Sequence, residues 1–145
     1  MTAPAPLARL RALRGALAAA AQGVYDAWDQ SGEDGDPELG FGGICQDVAA
    51  AMAEVLEADG IEAAAVSAAC GEQHVFVVCK VAEGVFEVDI PPRVYERGGG
   101  YVWEKLPGVV FDADCVCLGL VDRDPEAFPR YASDEWDDEA ALSPR

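Results

Sequence analysis

Apolar residues recur at three- and four-residue steps between Leu7 and about Gln30, at Leu10, Leu13, Leu17, Ala21, Val24 and Trp28. That spacing predicts an amphipathic helix. Residues 1–6 (Met-Thr-Ala-Pro-Ala-Pro) precede it and are expected to form a mobile lead. Residues 31–37 (Ser-Gly-Glu-Asp-Gly-Asp-Pro) read as an acidic loop that leads to the glycine break at 40–43. A second, alanine-rich helix is expected from about Ile44 to Ala58, closed by Asp59-Gly60.

The period then changes from helical to alternating. Ile61 to Ala69 follow a glycine stop and read as a first strand, and Cys70-Gly71-Glu72-Gln73 as a turn. His74 to Val81 is dense in β-branched and aromatic residues and predicts the strongest strand. A turn near Ala82-Glu83-Gly84 returns the chain as Val85 to Ile90, and Pro91-Pro92 ends this hairpin. Residues 93–106 read as a loop with a short helical piece, followed by strands at about Val109–Phe111 and Cys115–Val121. Beyond Asp122 the chain turns acidic, with Tyr131 and Trp136 expected to dock part of the tail. The fold class is therefore α+β, with N-terminal helices packed on an antiparallel sheet. One domain spans 7–122, and an acidic, partly disordered tail spans 123–145.

The hairpin's register follows from burial. Side chains alternate across a strand, so a register is also a choice of faces. If paired positions sum to an odd number, Val75, Val77, Cys79 and Val81 share a face with Phe86, Val88 and Ile90. That face is wholly apolar and predicts the core. The other face then carries His74, Phe76 and Val78 with Glu87 and Asp89. An even sum mixes Glu87 and Asp89 with the valines and separates polar from apolar less well. In the odd register with Asp89 opposite Phe76, His74 lies on the diagonal, about 7–8 Å away at the backbone.

Charge narrows the choice of partner. The 145 residues carry a net charge of −17 and only two lysines, Lys80 and Lys105. Direct nucleic-acid or anionic-membrane binding is not expected, because phosphate contacts need clustered Lys and Arg. No apolar run approaches the roughly 20 residues of a membrane span. A basic protein partner suits such a surface. The five cysteines (Cys45, Cys70, Cys79, Cys115, Cys117) show neither a disulfide framework nor a CxxC pair, and the one histidine stands apart from them. No metal and no cofactor is expected. Reduced thiols fit a cytoplasmic protein. Arg9, Arg11 and Arg14 before Ala16–Gln22 imitate a signal peptide, but they interleave with leucines and the apolar run is short.

Three residues carry candidate chemistry. Cys45 follows Gly42-Gly43-Ile44 at the start of a helix, where unsatisfied N–H groups and the positive dipole end favour an anionic sulfur. A thiol nucleophile needs a base, and that base needs an anion to orient it. His74 and Asp89 supply these in chain order. Singly, each has an ordinary structural explanation: a small core residue, a strand-start histidine and a turn-initiating aspartate.

As an ordered set these segments resemble the transglutaminase-like branch of the papain-like cysteine hydrolases and acyltransferases. The likeness covers about residues 41–90: Gly43-Ile44-Cys45 opening a helix, Gly60-Ile61-Glu62-Ala63, His74-Val75-Phe76-Val77-Val78, and Phe86-Glu87-Val88-Asp89. Asp89 is followed by Ile90-Pro91-Pro92 where the family commonly has Pro-Thr. The resemblance implies a papain-like core with Cys45 facing the sheet at His74. It assigns Cys45 as nucleophile, His74 as general base and acid, and Asp89 as orienting carboxylate. The substrate would be a protein, a peptide or a small amide, handled by a protease, amidase, deamidase or transamidating enzyme. Tyr101 and Trp103, after Gly98-Gly99-Gly100, are candidates for a flap over the acyl pocket. Gln22 and Gln30 are candidate oxyanion donors only if the first helix packs over the site; Gln46 follows the cysteine directly, and the Cys45 backbone N–H is itself a candidate donor. The competing expectation is a non-enzymatic acidic binding or inhibitor protein that engages a basic partner, including an inactive member of the same fold.

Overall fold

The structure, a computed structural model, describes residues 4–31, 45–68, 74–91, 94–97, 104–105 and 108–132. Helices α1 (Leu7–Ala12), α2 (Arg14–Ser31) and α3 (Cys45–Ala58) precede strands β1 (Ala63–Ala68), β2 (His74–Val81) and β3 (Gly84–Asp89). Two short strands follow, β4 (Glu96–Arg97) and β5 (Glu104–Lys105), then β6 (Cys117–Asp122) and the helical turn α4 (Phe128–Tyr131). The main sheet is antiparallel, in the order β1-β2-β3-β6. The α+β class with helices against an antiparallel sheet is thus the observed one. Among the described residues, no helix is long and apolar enough to cross a membrane.

The first helical stretch is interrupted only at Leu13, which keeps α-region dihedrals, donates to Arg9 O at 3.1 Å and accepts from the Leu17 N–H at 2.9 Å. Long-range ties fix the chain on either side of Leu13. In α1, the Leu7 N–H donates to Glu83 Oε1 at 2.7 Å, and Arg9 Nε donates to Asp59 Oδ2 at 2.7 Å. At the start of α2, Arg14 donates through Nε and Nη2 to the Val116 carbonyl, at 3.2 and 3.0 Å. Ala5, in the expected lead, accepts from the Ala82 N–H at 2.8 Å and packs on the core.

α3 ends in a Schellman motif. The Gly60 N–H donates to Glu57 O at 3.0 Å and the Ile61 N–H to Leu56 O at 2.9 Å, with Gly60 at φ 85°. Leu56 and Ile61 are both buried and close the motif apolarly. The chain reverses here, and β1 runs back beneath α3.

The register of β2 on β3 is the odd-sum one: Val77 opposite Val88, Val78 opposite Glu87 and Cys79 opposite Phe86. Val77, Cys79, Val81, Phe86, Val88 and Ile90 form one buried face under Leu10, Leu17, Val48, Met52 and Leu56 of the helices. The opposite face is covered as well. Phe128 and Tyr131 of the tail pack on Val66, Phe76, Val78 and Val85, and the Tyr131 hydroxyl donates to Asp122 Oδ2 at 3.0 Å. Trp136 lies outside the described residues.

Two later segments differ from expectation. Residues 109–111 form no strand, because a side chain takes the partner's place: Phe111 N–H donates to Gln22 Oε1 at 2.7 Å, and Gln22 Nε2 donates to Val109 O at 3.2 Å. Within 93–106, Val94 sits in a short 3₁₀ piece, its N–H donating to Pro91 O at 2.9 Å, and the β4–β5 ribbon, with Glu96 opposite Lys105, is an addition to the expected loop.

Candidate active site

Cys45 is the first residue of α3 and is 4% exposed. The tight reversal at Asp59–Glu62 makes β1 antiparallel to the helix. Fourteen helical residues rise about 21 Å and six strand residues about 20 Å, so helix and strand reach equally far. The N-terminal end of α3 therefore comes to the end of the sheet where β1 finishes and β2 begins. Ala68 and His74 are paired there. Continuing the β2–β3 register by one pair sets Asp89 opposite Phe76, diagonal to His74. Cys45, His74 and Asp89 thus converge on one end of the sheet.

They do not converge on one face. Asp89 is in phase with Glu87 and Phe76, on the side covered by α4, whereas α3 covers the side of Val77, Cys79 and Val88. Cys45 and Asp89 approach the sheet's end from opposite sides. His74, as the first residue of β2, holds the backbone position at the rim between them. A triad built from these residues closes around the rim, not across the sheet.

The wider set sorts differently. Gln22 is fully engaged with Val109, Phe111 and Asp26, the last at 2.9 Å, and holds a loop instead of facing the thiol. Gln46 follows Cys45 and is exposed, while Gln30 is in α2 with its side chain outside the described set. Tyr101 and Trp103 lie outside the described residues, between β4 and β5.

One residue at this end of the sheet was given no chemical role from the sequence. Cys117 starts β6 directly opposite Asp89 and is exposed. Cys115 does not share a strand with it, because residues 113–115 form a 3₁₀ turn capped by Asp112, whose carboxylate accepts from the Asp114 N–H at 3.0 Å. The Cys-Val-Cys spacing looked like a strand pair, and only the cap at Asp112 signals the turn. Cys79 is chemically quiet: burial pushes its thiol up to about 12, partly offset by a backbone hydrogen bond at Phe86. Among the described residues, no three His, Cys, Asp or Glu side chains are grouped to hold a metal ion.

Comparison with known protein families, curated proteins and solved structures yields no match to this chain.

Proposed function

We propose that the chain is a cysteine hydrolase or acyltransferase with a papain-like, transglutaminase-like core, acting on an amide or related acyl bond. The observation that supports this reading is the arrival of Cys45, His74 and Asp89 at one end of the sheet, in the register chosen by burial alone. In this scheme the Cys45 thiolate attacks the carbonyl carbon. His74 takes the thiol proton and returns it to the leaving group. Asp89 holds the imidazole tautomer that makes this transfer productive. The Cys45 backbone N–H, at a helix N-terminus, donates to the developing oxyanion. Water or an amine then resolves the acyl-enzyme. Tyr101 and Trp103 would close over the acyl group, and the substrate would be a protein, peptide or small amide.

The test is to trap the acyl-enzyme. Incubation with an activated acyl ester, followed by intact mass and peptide mapping, should place one acyl group on Cys45. The adduct should vanish in Cys45→Ala and form far more slowly in His74→Ala. Acylation spread equally over the exposed thiols, Cys117 included, would reject the scheme.

A second reading is favoured by a specific observation, the approach of Cys45 and Asp89 from opposite sides of the sheet. In that reading the chain is a non-enzymatic acidic protein, its charge of −17 complementary to a basic protein partner. It would engage that partner equally well as Cys45→Ala.

A further inference from the structure

A second feature does not include Cys45 in its lining. Between the N-terminal helices and the β3–β6 edge is a cleft of about 400 Å³. Leu7, Phe86, Val116 and Leu118 supply its apolar walls, Arg11 and Arg14 its positive charge, and Asp114 and Cys117 complete the lining. The chain holds ten Lys and Arg residues against 27 Asp and Glu, so two arginines lining one recess run against the charge of the molecule.

The two arginines are prepared differently. Arg14 is held in place, with Nε and Nη2 both bonded to the Val116 carbonyl. A guanidinium carries five N–H groups in a planar fork, so this anchoring leaves the others to meet a ligand. Arg11 is exposed, and among the described residues no carboxylate is paired with it. An anchored cation beside an uncommitted one suits a planar anion.

We infer that this cleft binds a small monocarboxylate with an apolar body, its carboxylate on Arg11 and Arg14 and its chain on Leu7, Phe86 and Leu118. The apolar walls require a body to bury, which excludes a bare inorganic anion as the best ligand. Asp114 and the negative field of the whole molecule penalise a dianion more than a monoanion. A monoanion that also buries methylenes best satisfies both constraints.

Calorimetric titration of the full chain with octanoate, octylamine and acetate tests this directly. Octanoate should bind, acetate should bind at least tenfold more weakly for want of a buried chain, and octylamine should not bind. Arg11→Gln removes a charge without touching the Arg14–Val116 bond, and should weaken octanoate by about tenfold. Circular dichroism of that variant should match the parent. Octylamine binding as tightly as octanoate, octanoate failing to bind, or unchanged octanoate affinity in Arg11→Gln would each overturn the assignment. Because Cys45 is not part of this cleft, Cys45→Ala should leave octanoate affinity unchanged, which separates this site from the thiol chemistry.

Discussion

Val77 of β2 stands opposite Val88 of β3, and this pairing sets which residues reach the end of the sheet. Both valines are fully buried beneath the helices. A slip of one residue would move Val88 out of the core and bring Glu87 and Asp89 into it. Burial thus holds Asp89 diagonal to His74 with no demand from chemistry.

The hairpin that carries this register depends on Gly84. Its φ of 146° is a conformation that side chains rarely adopt, and a Cβ there would come within 2.2 Å of the Asp122 carbonyl oxygen. Gly84→Ala must therefore strain the turn or push β6 away, and should cost about 2–4 kcal/mol. Urea unfolding of the variant measures this loss.

Gln22 substitutes for a strand by pairing its side-chain amide with the backbone of Val109 and Phe111. Gln22→Ala leaves that N–H and carbonyl without their protein partner, and should destabilise the fold by about 1–3 kcal/mol. If the variant's thermal midpoint equals the parent's, the amide does not hold the loop.

Stability at alkaline pH should report on Cys79. Its thiol lies at about 12 in the folded chain against an ordinary 9.0, because burial disfavours the thiolate. Below pH 9 the thiol is protonated in both states and adds no pH dependence. Between pH 9 and about 12 the unfolded chain releases this proton and the folded chain keeps it, so stability falls as pH rises. Cys79→Ala should start less stable at neutral pH, through the small cavity it leaves, and lose less on going to pH 10.5. Urea midpoints at the two pH values give the comparison.

Much of this architecture was legible in the chain. β2 begins and ends where its β-branched run does, and α3 stops at the glycine that its periodicity pointed to. The register was legible because one face of the hairpin is wholly apolar. The bond from Arg14 to the Val116 carbonyl was not, since its partner lies far along the chain. The 109–111 segment has strand-like residues, yet its hydrogen bonds go to a glutamine side chain, which no periodicity reveals. The β4 and β5 strands, at two residues each, are too short to show a period. The side of the sheet taken by Asp89 was in the pattern throughout: the apolar face is where the helices pack, so the face of Glu87 and Asp89 turns away from α3. The helix's course then shows that Cys45 reaches the same end of the sheet from the other side.

The central claim is that Cys45 works as a nucleophile with His74 as its base, and thiol kinetics test it most directly. Iodoacetamide alkylation of the native chain near pH 6.5, followed by peptide mapping, gives a rate for each cysteine. The account predicts that Cys45 reacts well above the rate of an ordinary free thiol, faster than exposed Cys117, and that His74→Ala abolishes this excess. A Cys45 that reacts no faster than a free thiol, or whose rate is unchanged by His74→Ala, would contradict it.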